Sequence, residues 1–299
     1  YVRLARWDAA VTLLQSFIER LRQAGNAAQL ATVARCELIL AGLFAEVLLQ
    51  PEAAIKLLRQ SIEAATRPEA SVSEELLHRA RFVLSQELFR IGRYLEARTE
   101  IDELLRSVQP DGTPKVTPSV LCRYSDYQGR ILESLGDMTG AQQAYLKAID
   151  LDPTYAPPVL QLSRWGVLTG NRDQAEALLR DAIERSGERT VAAGYDERAS
   201  EIFLRRGLAR LLVASEPQAA VEEYRRLIDL SADDYIPLPL CFDLASPGGP
   251  PLLWNGQDDR VSLAEVLLQN IGDTSQSQQV LGQILSEDLR CAAAYPLLA

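Results

Sequence analysis

The sequence predicts an all-α protein made of repeated helix pairs, and three observations carry that prediction. Alanines at 10, 54, 97, 141, 175 and 220 recur at intervals of 44, 43, 44, 34 and 45 residues. A glycine stands five residues before three of them, as Gly92, Gly136 and Gly170. An apolar residue follows each alanine by four, as Leu14, Leu58, Ile101, Tyr145, Leu179 and Tyr224. Each feature has a physical role in a helix hairpin. The small residue lets two antiparallel helices approach closely, glycine supplies a turn with positive φ, and the larger apolar residue fills the space between successive pairs. Self-similarity at such periods points to stacked supersecondary units.

Weaker copies extend the pattern in both directions. Gly42 with Ala54 and Leu58 reads as an upstream unit, Ala220, Tyr224 and Leu227 as a downstream one, and Gly272, Leu281 and Ile284 as a last one. Trp7, Ala10, Leu14 and Phe17 fit the second half of a unit, so the chain reads as starting within a helix. The extra residues fall at 67–74, 109–119 and 186–197, which are rich in Pro, Gly, Ser, Thr or charge, as loops are. Helix restarts are expected from the Ser71/Glu74 spacing of a capping box and from Thr117 followed by Pro118. The stretch 231–259 breaks the pattern with Pro237, Pro239, Pro247, Pro250 and Pro251, a density no regular helix survives.

Within this pattern Gly129, Ala141, Tyr145 and Pro153 match W-x2-L-G-x2-Y, A-x3-F and P, so the segment resembles a tetratricopeptide repeat. Gln128 and Leu132 replace the Leu and Tyr of that pattern. The resemblance implies a right-handed superhelical solenoid of antiparallel helix pairs, about six to seven repeats with loop insertions. It divides the chain into repeats over 1–230, a Pro/Gly-rich non-repeat insertion over 231–260, and a C-terminal helical repeat with the start of a further helix over 261–299. It also implies a scaffold or adaptor that binds a partner peptide or helix in a concave groove. The alternative is a regulatory or substrate-presenting region of a larger protein, such as a transcription activator or a glycosyltransferase, whose active domain lies outside this chain.

Composition narrows the function classes. Acidic residues outnumber basic ones 41 to 31 for a net charge of −10, which repels a nucleic-acid backbone. No apolar run approaches membrane-spanning length. Cys36, Cys122, Cys241 and Cys291 are far apart and form neither a zinc knuckle nor a redox motif, in keeping with reduced thiols in a cytoplasmic protein. Phosphate-loop, nucleophile-elbow and zinc-protease motifs are absent, and the single histidine, His78, reads as a partly exposed residue at a helix start. No enzyme activity, metal or cofactor is expected.

Ligands of the resembled family lie on the concave face, lined by the first helix of each unit. Alignment on the alanines places Gln86, Arg130 and Arg164 at equivalent positions, with Arg79 and Arg123 as an equivalent pair one helix face earlier. Arg123, Asp126 and Arg130 are spaced to share a face, and Arg90 completes the expected groove set. An arginine track of this kind predicts a protein or peptide partner of acidic or phosphorylated character. Against it stands neutralisation of these arginines by Asp126 and Glu133 along their own helix. The Lys and Asn arrangement of the chaperone-binding subset is replaced here by Arg, Gln and Asp. Trp7, Tyr94, Tyr145 and Tyr224 read as repeat packing, whereas Trp165 and Trp254 have no repeat role and are candidate ligand contacts. Exposed apolar clusters tend to be covered, so Leu252, Leu253 and Trp254 are expected to pack on neighbouring helices or in the groove. Limited proteolysis should then leave 246–257 intact, and rapid cutting there would show a plain linker.

Overall fold

The computed structural model describes residues 7–24, 27–66, 72–108, 115–187, 195–231 and 256–298. The described residues form helices and turns with no strand. In chain order the helices are α1 (Trp7–Ala24), α2 (Ala27–Gly42), α3 (Pro51–Ala65), α4 (Glu74–Arg90), α5 (Tyr94–Val108), α6 (Pro118–Ser134), α7 (Met138–Leu151), α8 (Ala156–Leu168), α9 (Arg172–Gly187), α10 (Tyr195–Leu212), α11 (Pro217–Ser231), α12 (Gly256–Val266) and α13 (Thr274–Glu287). A 3-10 segment, Ala292–Leu297, follows. The backbone divides into two compact units, with the boundary between Ala144 and Tyr145 inside α7. In the first, each helix from α1 to α6 packs on the next, and in the second the same holds from α8 to α13.

One backbone motif builds every hairpin. The amide of the marker residue closes the first turn of the second helix, as in Ala97 to the Arg93 carbonyl at 3.0 Å, Ala141 to Asp137 at 2.9 Å and Ala175 to Asn171 at 3.1 Å. Ala54, Ala220 and Ser277 do the same, so Ser277 is the last marker, a serine where the sequence pattern looks for alanine. All six are at most 2% exposed. Ser277 remains compatible with burial because its hydroxyl donates to the Ala264 carbonyl at 2.8 Å. Four residues on, Leu58, Ile101, Tyr145, Leu179, Tyr224 and Leu281 are likewise buried.

The turns explain where the pattern slips. Gly92, Gly136, Gly170 and Gly272 all have φ between 80° and 82°, and after the first three the next amide returns to a carbonyl five residues back, as Asp137 to Leu132 at 2.9 Å. Gly42, expected to serve the first turn, is instead right-handed helical at φ −59°. Its helix continues as a π turn over Leu43–Val47, and the left-handed residue is Leu49 at φ 52°. A second π turn, Leu267–Ile271, ends α12. In both, the closing amide reaches six residues back, Gln50 to Phe44 and Asp273 to Leu267, so one residue has been added to the turn.

Three further expectations shift. In α1, Ala10 and Leu14 face the core as inferred, but Phe17 is exposed and its neighbour Ile18 takes the buried place. The cap of α4 is Ser73, which accepts the Leu76 amide at 3.3 Å, while Ser71 lies outside the described residues. His78 is buried in the first turn of α4, and that burial lowers its pKa. Thr117 and Pro118 do begin α6 as cap and first residue. Leu252, Leu253 and Trp254, with most of 231–259, lie outside the described residues.

A left-handed backbone costs an L-residue about 1–2 kcal/mol, and glycine avoids that cost. Gly136→Ala should therefore lower the urea midpoint, by about 1–2 kcal/mol of stability. Leu49→Gly should raise it, by about 0.5–1 kcal/mol once the extra freedom of unfolded glycine is subtracted. Loss of stability in Leu49→Gly would show that the exposed Leu49 side chain does more than its backbone indicates.

Candidate functional site

Helices α4 and α6, the first helices of successive pairs in the first compact unit, meet through a row of aromatic rings. Phe82 packs on Tyr124 at 4.7 Å and on Tyr127 at 5.4 Å, and Phe89 packs on Tyr127 at 5.5 Å. Such offset and edge arrangements bring the two helices together while leaving their polar neighbours around the rim. The ring row splits the expected site residues into two groups.

At one end Glu75, Arg79 and Arg123 surround Tyr124 and act on its hydroxyl electrostatically, which burial holds in the protonated form. Arg79 pairs with Glu75 at 3.6 Å, a contact of an exposed carboxylate worth little. Arg123 is half-buried. At the other end Glu87, Arg90, Asp126 and Arg130 surround Tyr127, whose hydroxyl donates to the Gln86 carbonyl at 3.3 Å. Arg90 is committed within the fold. Its guanidinium holds the buried Glu87 at 2.5 Å and donates to the Ala45 carbonyl at 2.9 Å, beside the first π turn.

Arg130 differs from these. Its guanidinium carbon lies over the Tyr127 ring at 5.6 Å and the Phe89 ring at 5.9 Å, and among the described residues no carboxylate lies within ion-pair distance of it. A cation held over ring faces in this way keeps its N–H donors available to another partner. The expected neutralisation of Arg130 by Asp126 along α6 is thus electrostatic only, through space and without contact.

Asp126 is the anomaly of the site. Five acidic residues are buried among the described residues: Glu37, Glu87, Asp126, Glu223 and Asp259. Arg22 pairs with Glu37, Arg90 with Glu87, Arg205 with Glu223 at 2.9 Å, and Arg206 grips Asp259 through two bonds of 2.7 Å. Asp126, 3% exposed, has no hydrogen bond or ion pair among them. Burial pushes its carboxyl up to about 7, against a smaller downward pull from Arg130. Alignment on the markers equates Asp126 with Phe82 and Leu160, so this carboxyl occupies a position that is apolar in the flanking pairs. The adjacent Ser125 hydroxyl is also buried without a partner.

The remaining candidates lie elsewhere. Arg164 is exposed on α8, in the second compact unit. Trp165 is half-buried with its ring edge-on to Tyr145 at 5.6 Å, which gives it a packing role the sequence did not reveal. Trp254 lies outside the described residues. Phe89, Tyr127 and Glu87 were not singled out in the sequence, because alignment equates Phe89 with Glu133 and Tyr127 with Val83, so neither repeats. The three-residue spacing of Tyr127 and Arg130 on one helix was the signal available for the stacked arginine. Among the described residues no cluster of His, Cys, Asp and Glu is placed to hold a metal ion, and no helix is long and apolar enough to cross a membrane.

The raised carboxyl has a stability consequence. A carboxyl whose folded pKa lies near 7, above the ordinary 3.8, binds its proton more tightly in the native state. Stability should therefore fall as pH rises through that window, by up to about 1.4 kcal/mol per pH unit at its steepest. Asp126→Asn should be more stable than the parent at pH 8 and lose that advantage at pH 4, as read by urea melts.

Known proteins agree with this architecture. The tetratricopeptide repeat family matches residues 128–155, which hold the end of α6, the Gly136 turn and α7. The crystal structure of BtubC (BKLC) from P. vanneervenii superposes with a TM-score of 0.59 at 16% identity, over 84% of this chain and 99% of that one. Human IFIT1, solved as a dimer with PPP-AAAA, superposes with a TM-score of 0.56 at 13% identity, over 91% of this chain and 56% of that one. No curated protein sequence matches significantly. The matched repeat at 128–155, the six equivalent buried markers and the shared fold together show stacked helix pairs with a tetratricopeptide-like fold.

Proposed function

We propose that the chain is a protein-interaction scaffold and that the α4–α6 face of its first compact unit holds an acidic or phosphorylated segment of a partner protein. The observation that carries this reading is Arg130, a guanidinium set over two rings with no carboxylate among the described residues in contact. A fork fixed in this way meets a carboxylate or phosphate with paired N–H donors and loses little freedom in doing so. Arg79 and Arg123 at the far end of the ring row supply further positive charge along the same face. Of the rings in the row only Phe89 is partly exposed, beside Arg130, so apolar contact with a bound segment is confined to that end. Arg164 holds the equivalent sequence position on α8, in the second compact unit.

Fluorescein-labelled hexaglutamate is a suitable probe, read by anisotropy. Arg130→Glu should weaken its binding more than tenfold, since charge-assisted hydrogen bonds contribute about 1.5–3 kcal/mol. Added salt should shrink the effect. Equal binding by the parent and Arg130→Glu at low salt would assign these arginines to ordinary solvated surface.

A further inference from the structure

We infer that Asp126 is a proton-controlled regulator of the Arg130 site: a neutral carboxylic acid when anions bind and an opposing carboxylate when they leave. The inference rests on the functional reading of Arg130 given above. Asp126 is one helical turn before Arg130 on α6, almost wholly buried, and the one buried acidic residue among those described without an arginine in contact. The arginine that could have paired with it is laid over Tyr127 and Phe89 instead. A buried carboxylate without a cation is expensive, and the inexpensive alternative is to take up a proton.

The groups facing this carboxyl make the coupling specific. Arg130 is the charged group whose field acts on Asp126. From α4, Glu87 and Arg90 act on the shared neighbour Tyr127, but they are bonded to one another, so their charges largely cancel. The Tyr127 hydroxyl is committed to the Gln86 carbonyl and is burial-locked in its protonated form, so it neither titrates nor neutralises Asp126. The balance near neutral pH is consistent with this assignment, because burial and Arg130 pull the carboxyl in opposite directions.

Linkage then fixes the sign. With Asp126 ionised, its charge offsets part of the field of Arg130, and an incoming anion meets a weaker receptor. With Asp126 protonated, the guanidinium acts alone. An anion bound at Arg130 must by reciprocity favour the protonated acid, so binding takes up a proton. The only histidine, His78, is buried, and its pKa is lowered.

The test uses the full chain with fluorescein-labelled hexaglutamate, whose carboxylates stay ionised throughout this range. The parent should bind at least about fivefold more tightly at pH 6 than at pH 7.5, within the usual span of coupling between sites. Asp126→Asn, and Asp126→Leu as a second apolar replacement, should bind equally at both pH values and as tightly as the parent at pH 6. Calorimetry at pH 7 in two buffers of different ionisation enthalpy should show proton uptake by the parent and none by Asp126→Asn. The same pH dependence in parent and Asp126→Asn would overturn the regulator while leaving the Arg130 reading intact. Absence of hexaglutamate binding at both pH values removes the Arg130 reading and with it any role for Asp126 in regulating it. A carboxyl 13C titration of the parent decides the acid itself: a midpoint below 5 for Asp126 overturns the regulator whatever the peptide does.

Discussion

The close approach of paired helices at one small residue governs this structure. At Ala54, Ala97, Ala141, Ala175, Ala220 and Ser277 the side chain is effectively sealed from solvent, and the amide of each closes the first turn of its helix. A larger residue would hold the two helices apart and separate the layers beyond them, because a core at crystal-like density has nowhere to put extra volume. Gly166 shows the same tightness from the opposite side. A Cβ placed there would lie 3.1 Å from the Cβ of Ala175. Once the spacing is set, the residue four positions on is carried into the gap between pairs, where Tyr145 and Tyr224 are enclosed.

Turn length is free to vary around that constraint. Three hairpins return the chain within five residues through a left-handed glycine, and two do so in six through a π turn. The marker keeps its relation to the second helix in all of them. The extra residue is absorbed on the first helix, whose final carbonyls then need outside donors. Arg90 serves the Ala45 carbonyl of the first π turn, whereas in the second π turn Asn270 is itself a donor, to the Val213 carbonyl at 3.4 Å. The larger spread of marker intervals, 34 to 45 residues, comes instead from residues added between pairs, at 67–74, 109–119 and 186–197.

Charge is handled with the same economy except at one place. Arginine dominates the basic residues, and its fork holds buried carboxylates at Glu87, Glu223 and Asp259. Truncating one partner of such a pair would strand the other, so these contacts are structural commitments. Asp126 has been left outside this scheme at a position where Phe82 and Leu160 show hydrocarbon to be acceptable. Local rules broken without structural return are expected at functional sites, where stability is traded for a task.

The sequence by itself determined the helix pairs, because helix hairpins are specified by short-range spacing: alanine to the apolar residue four on, glycine to alanine five on. It also placed Gln86, Arg79, Arg123, Asp126 and Arg130 on the first helices, since three- and four-residue spacings translate directly into a helix face. The reading slipped at Gly42 against Leu49, because a π turn leaves no mark in a spacing count, and at Phe17 against Ile18, because adjacent apolar residues do not show which of them faces the core. What each side chain does was decided only by the tertiary structure. Trp165 became packing through Tyr145, His78 was buried, and Arg130 turned to the rings of Tyr127 and Phe89 rather than to Asp126. Each of these outcomes depends on residues brought in from other parts of the chain or on the rotamer chosen among them. Burial, partnership and protonation are properties of that assembled environment and have no representation in linear spacing.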